Sequence, residues 1–251
     1  MGWLEAGEGW PLVLVHGFPL RADVWRPQLE SVPEGWRFIA PNLRGFAAGP
    51  PLDRPAGMDE YAQDLDALLD ALEIDSAAIG GVSMGGYVTF ALFRLAPARF
   101  TAMILADTRP QADTPAGREA RAQMRTLLAE QGPRGVAGQM LPKLVSSNAA
   151  SGTRDTLQRM IESLDPQAID AAIVALMDRP DSTPDLARIN VPTLIVVGEH
   201  DALTPVSDSE AMQRAIGRST LVVIPDAGHM ASLEQPVAFS RALADFLGSA
   251  L

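Results

Sequence analysis

The sequence predicts an α/β protein with a mostly parallel, doubly wound sheet and a helical segment inserted into it. Three observations point there. Short apolar runs recur at 12–15, 37–40, 77–79, 101–106, 193–197 and 220–224, too short for core helices and apolar on both faces, as strands buried under helices are. Amphipathic segments stand between them. No strand-like run interrupts 109–188, where GREARAQMRTLLAEQG, VAGQMLPKLV, TRDTLQRMIESL and QAIDAAIVALM read as successive helices punctuated by Gly, Pro and Asn.

In chain order, LVLV and RFIA supply the first two runs. A helix follows in which Met58, Tyr61, Leu65, Leu68, Leu69 and Leu72 recur at steps of three and four, with Asp64, Asp66 and Asp70 on the other side. The run AAI then leads through glycines into a helix over 84–96, and TAMILA precedes the inserted helices. TLIVV, TLVVI and a final helix from Val237 to Leu247 complete the alternation. The expected division is a core of 1–108 and 189–251 with a helical cap at 109–188. No repeat or low-complexity linker marks a further boundary, and 251 residues at 47% hydrophobic content suffice for one sizeable core.

Bulk composition excludes several functions. A formal net charge of −11 without a basic run argues against nucleic acid and against anionic membrane surfaces. The absence of cysteine removes disulfides, thiolate metal sites and cysteine nucleophiles together. The start, MGWLEAGEGWPLVLVHGFPL, has neither the basic opening of a signal peptide nor the roughly 20 apolar residues of a membrane span, so a cytoplasmic protein, monomeric or homodimeric, is expected. No metal or cofactor is expected either: His16, His200 and His229 lack ligand spacing and no phosphate-binding glycine motif is present.

The stretch GGVSMGG (80–86) holds Gly81-x-Ser83-x-Gly85 between a strand that ends at Ile79 or Gly80 and a helix that opens at Met84 or Gly85. A serine at such a corner adopts a strained backbone, and small neighbours let the chain fold back sharply. A serine hydroxyl is a weak nucleophile, so it needs a base and a group to orient that base. His229, in the small-residue loop PDAGHMASLEQP after the last strand, is the candidate base, and Asp201, in GEHD after the preceding strand, the candidate acid. Asp107, after the strand at 101–106, is the rival acid. Asp226 reads as a turn residue and His200 as a surface residue. The loop His16-Gly17-Phe18-Pro19 offers the Phe18 amide, which with the Met84 amide would hold an oxyanion; His16 itself reads as fixing that loop.

With H-G-F-P, G-x-S-x-G, GEHD and AGH in this order, the whole chain resembles the α/β-hydrolase family, whose nucleophile, acid and histidine also follow in that sequence. The cap segment, which the resemblance sets after the sixth strand and over the acyl pocket, is most similar to that of the cofactor-free 3-oxoadipate enol-lactonase branch. The resemblance implies a serine carboxylesterase acting on a small acyl or aryl ester, with lactone hydrolysis, perhydrolysis or haloperoxidase activity as alternatives. A slow-turnover receptor of the same fold is the non-enzyme alternative. Ser83, where epoxide hydrolases and haloalkane dehalogenases carry Asp, argues against those two chemistries. The family's D-x-R-G-x-G loop is present as NLRGFA, with Asn42 for the Asp and Ala47 for the later Gly. The expected pocket walls are Phe18, Trp25, Met84, Met124, Met140 and Leu144, with Leu141, Met160 and Met177 as looser candidates.

Overall fold

In the computed structural model, which describes residues 1–52 and 56–250, seven strands form one sheet. They are β1 (Trp3–Gly7), β2 (Trp10–Val15), β3 (Trp36–Pro41), β4 (Ala77–Val82), β5 (Phe100–Ala106), β6 (Thr193–Gly198) and β7 (Ser219–Ile224). Their spatial order is β1-β3-β2-β4-β5-β6-β7, and every neighbouring pair is parallel except β1 with β3. From β2 the chain steps first to β3 on one side and then to β4 on the other. The sheet therefore has its topological switch point between β2 and β4, where the crevice at the carboxyl ends of an open α/β sheet forms.

Between the strands lie α1 (Arg26–Leu29), α2 (Met58–Ala71), α3 (Met84–Leu95), α4 (Pro115–Leu144), α5 (Ser151–Glu162), α6 (Pro166–Asp178), α7 (Val206–Ala215), α8 (Ala231–Glu234) and α9 (Pro236–Ala250). The central strands are dry on both faces: Leu12, Val15, Ile79, Val82, Ile104, Leu105, Ile195 and Val196 are all fully buried. Burying such a side chain contributes about 1.5–3 kcal/mol, which is why runs of four to seven apolar residues suffice to define this sheet. The edge strand β7 is half exposed instead.

All six expected strands are present. The unforeseen one, β1, is an antiparallel edge strand whose residues alternate between exposed and half-buried, so WLEAG carries no continuous apolar run. Only this strand precedes β2, so the helical insertion follows the fifth strand in chain order and not the sixth, as expected from the family's count. β4 also continues past Ile79 and Gly80 to Val82, because Gly80, Gly81 and Val82 stay extended and pair with Ile104, Leu105 and Ala106 of β5. The insertion consists of α4, α5 and α6, with α4 in contact with both others. α4 breaks at Gly132 (φ 66°, ψ −165°), just before Pro133, whose missing N–H and ring both oppose a continuous helix, so the insertion has four helical stretches. No helix among the described residues is long and apolar enough to cross a membrane.

Candidate active site

Ser83 sits between β4 and α3 with φ 55° and ψ −114°, a conformation that costs an L-residue about 1–3 kcal/mol. The surrounding backbone holds it there. Its N–H donates to the Ala106 carbonyl (2.9 Å), and its own carbonyl accepts from the Gly86 amide (2.9 Å) and the Thr108 hydroxyl (2.8 Å). The flanking glycines are required by close approach. A β-carbon on Gly85 would stand 2.3 Å from the Val15 carbonyl oxygen, and one on Gly81 would stand 2.7 Å from the same atom.

The loop after β2 runs alongside this corner: a β-carbon on Gly17 would lie 3.2 Å from that of Ser83. Next to Gly17, the amide of Phe18 has no acceptor among the described residues, nor has that of Met84, the first residue of α3. His16 is fully buried and secures the loop: its Nδ1–H donates to the Gly17 carbonyl (3.0 Å) and its Nε2 accepts from the Leu43 amide (3.1 Å). An Nε2 that accepts cannot carry a proton, and burial pushes the His16 pKa down to about 4. The same loop contains a cis peptide between Phe18 and Pro19. Behind it, buried Asn42 accepts from the Ala22 amide (3.0 Å), while Ala47 takes φ 44°, a left-handed turn that glycine adopts at less cost.

His229, 1% exposed, lies in the loop between β7 and α8, and its Nδ1–H donates to Asp201 Oδ2 at 2.8 Å. Asp201, in the loop after β6, also accepts from the Thr204 hydroxyl (2.6 Å) and from the amides of Leu203 (2.8 Å) and Thr204 (3.0 Å). Burial alone would raise its pKa. The charge and hydrogen bond of His229, with the Thr204 bonds, outweigh that and hold the carboxyl below its ordinary value. The imidazole is therefore turned so that Nε2 is its open atom, and that atom is buried without a partner.

Ser83 and His229 border one cavity of about 180 Å³ under the inserted helices. This is below the roughly 300–1,000 Å³ of sites for drug-sized ligands, so it suits a small group. Phe18, Met124 and Met140 line it as expected. Trp25 does not: fully buried, it packs on Phe239 with ring centroids 5.9 Å apart. The Met84 side chain is enclosed in the core, so only its backbone bears on the site. Leu144 is enclosed too, at the end of α4, where its carbonyl accepts from the Met230 amide (2.9 Å). Leu141, Met160 and Met177 also lie outside the cavity wall.

Several wall residues were not foreseen, among them Tyr87, Arg109, Asp113, Arg121, Lys143 and Thr204. Asp113 is nearly fully buried and ion-paired to Arg179 (2.7 Å) and Arg121 (3.3 Å), and the Arg179 guanidinium lies 4.4 Å from the centre of the Tyr87 ring. Thr204 had a readable signal: Asp201 followed by Leu203, Thr204 and Pro205 ahead of α7 is the pattern of an aspartate that accepts from amides two and three residues on. Glu234 joins two parts of the site, accepting from the Gly228 amide beside His229 and from the Ser146 amide beyond α4, each at 2.8 Å.

The other candidates separate clearly from this cluster. Asp107 is buried just after β5, accepts from the Gly198 amide (2.8 Å), and has its pKa raised well above the ordinary value by burial and by the nearby Asp201 charge. It makes no hydrogen bond to His229. Asp226 occupies a turn with φ 55°, and His200 is exposed. Among the described residues, only Glu199, His200 and Asp226 bring three possible metal ligands together, all exposed and none on the cavity wall.

A strained serine between a parallel strand and a helix, beside a histidine held by an aspartate at the switch point of an open α/β sheet, defines a hydrolase scaffold. Residues 12–242 match the model of the alpha/beta hydrolase family, and the chain belongs to that family. Among curated proteins it is 28% identical to 3-oxoadipate enol-lactonase 2 of Acinetobacter baylyi, over 92% of this chain and 86% of that one. Among solved structures it is similar to a thermophilic esterase from Thermogutta terrifontis, determined with malate bound, at 37% identity and TM-score 0.95 over 99% of this chain and 93% of that one. The enol-lactonase from Burkholderia xenovorans shares the fold at 22% identity and TM-score 0.90, over 98% of this chain and 96% of that one.

Proposed function

We propose that the chain is a carboxylic ester hydrolase that works through an acyl-enzyme on Ser83. The observation that carries this reading is the state of His229: Nδ1 bound to the Asp201 carboxylate, Nε2 unpartnered, and the ring on the wall of the cavity that Ser83 also borders. In the proposed reaction the Ser83 oxygen attacks the ester carbonyl and gives its proton to His229 Nε2. Asp201 holds the tautomer and stabilises the imidazolium without taking the proton. The amides of Phe18 and Met84 receive the oxyanion, and donors of this kind are worth about 3–4 kcal/mol of barrier each. When the tetrahedral centre collapses, the carbon–oxygen bond to the alcohol breaks and the alcohol leaves with the proton from His229. Water, deprotonated by the same nitrogen, then attacks the acyl-enzyme, the bond to the Ser83 oxygen breaks, and that oxygen takes the proton back from His229 as the acid leaves. A lactone, being a cyclic ester, would follow the same steps.

In this reading residues 109–188 form a cap that closes the acyl pocket. The esterase and enol-lactonase relatives support the reaction class, and the small cavity supports a short acyl or aryl group. Steady release of 4-nitrophenol from 4-nitrophenyl acetate or butyrate, abolished in Ser83→Ala, is the expected result. Absence of turnover across short esters, thioesters and lactones by the unmodified protein would refute the proposal.

A further inference from the structure

In a chain of net charge −11, the wall of the Ser83 cavity carries the opposite sign, with Arg109, Arg121 and Lys143 against the single carboxylate of Asp113. Asp113 is already claimed by Arg121 and by Arg179 behind the wall, so its negative charge is taken up within the protein. Arg109 is only loosely matched, and Lys143 has no counter-charge among the described residues. The guanidinium of Arg109 stands 3.8 Å from Asp208, beyond hydrogen-bond reach, and its Nε is buried with no partner. Lys143, the only lysine in the chain, is exposed at the cavity rim and makes neither an ion pair nor a hydrogen bond among the described residues. A buried donor left unmet is costly, and a cation in a partly enclosed cleft concentrates anions from solution.

From the unmet Arg109 Nε and the unpaired Lys143 on one cavity wall we infer that the substrate itself bears a carboxylate, held by Arg109 and Lys143 while its ester carbonyl lies at Ser83. The substrate class is then a hemiester of a short dicarboxylic acid. This rests on the esterase reading and narrows it: neutral esters would fit the cavity but leave the Arg109 Nε and Lys143 without an acceptor.

The test compares two chain-matched methyl esters, monomethyl glutarate and methyl pentanoate, by titration of the acid released. The expected kcat/KM is at least tenfold higher for the hemiester at low ionic strength, with the advantage shrinking in 0.5 M NaCl as screening sets in. Lys143→Met and Arg109→Met should each cut the ratio of the two rates, and Lys143→Glu should invert it. Lys143→Glu should also gain turnover on the methyl ester of 4-(trimethylammonio)butyrate. Equal rates on the two esters, or a preference untouched by all three substitutions, would overturn the inference. Binding separates this failure from failure of the esterase reading. Ser83→Ala protein should be stabilised thermally by glutarate, and Ser83→Ala with Lys143→Glu should not. If no ester is turned over yet that contrast appears, the carboxylate site stands without the reaction; if glutarate stabilises neither protein, the inference falls.

Discussion

The floor of the cavity is held by backbone: Ser83 is locked by hydrogen bonds to Ala106, Gly86 and Thr108, and Gly81 and Gly85 press against the carbonyl of Val15. Its roof is held by side chains, chiefly Asp113 between Arg121 and Arg179, with Arg179 stacked on Tyr87. A backbone-built wall tolerates few substitutions, because a single added carbon collides with atoms that cannot move away. A wall built from side chains can be rewritten residue by residue. The part proposed for chemistry is thus geometrically rigid, and the part proposed for substrate choice is chemically adjustable.

The largest effect should separate chemistry from architecture. Asp201→Asn keeps the shape of the floor but removes the charge that orients and stabilises His229, and kcat should fall about 10,000-fold, as loss of this carboxylate does in serine hydrolases generally. Thermal melts alongside the kinetics should show a folded protein; a fall of less than tenfold would mean that Asp201 does not serve His229.

Next in size is a break in the roof. Arg179→Met leaves the buried Asp113 with only Arg121, and stripping one partner from a buried pair costs about 3–5 kcal/mol. For a chain of this length the midpoint of unfolding should drop by roughly 10 °C. The kinetic change should fall mainly on KM, since Arg179 does not itself border the cavity that Ser83 and His229 line; a change confined to kcat would erase the distinction between floor and roof.

The smallest effect concerns acid. His16 titrates near pH 4 when folded and near 6.5 when unfolded, so the unfolded chain takes up the proton first. Stability should therefore fall by about 1.4 kcal/mol per pH unit on this account as pH drops from 6.5 towards 4, and level off below. His16→Gln does not titrate but loses the bond from Leu43 or to Gly17, at a cost of about 1 kcal/mol at pH 7. Melts at pH 7 and pH 4.5 should show the order of the two proteins reversing, the unmodified protein the more stable at pH 7 and the variant at pH 4.5; an advantage of the unmodified protein that persists or grows in acid would contradict the assigned state of His16.

The same division explains what could be read in advance. Six strands announce themselves because buried parallel strands need unbroken apolar runs, whereas β1 lies at an edge where WLEAG pairs by backbone alone. The serine corner is visible because steric crowding leaves glycine little alternative at 81 and 85. His229 and Asp201 are legible through scarcity of histidine and position after a strand, and the structure brings these two into contact at 2.8 Å. The roof is opaque for a physical reason. Met140 and Leu144 share one face of α4 at a spacing of four, yet one lines the cavity and the other is enclosed where the helix end meets Met230. Periodicity reports which side of a helix is apolar but not what that side meets. Likewise Arg121 and Lys143 carry no signal in the sequence, because nothing local distinguishes a charge on open surface from one beside a cavity.

Glu234 gives the molecule a constraint of another kind. Its two oxygens span Gly228 beside His229 and Ser146 at the exit from α4, so one carboxylate clasps a sheet loop to the insertion. A helical insertion borrowed from another scaffold would have to set a backbone amide at the same point to meet that clasp. Exchanging the roof as a module would require the amide at position 146 to travel with it, or Glu234 to be redesigned along with the graft.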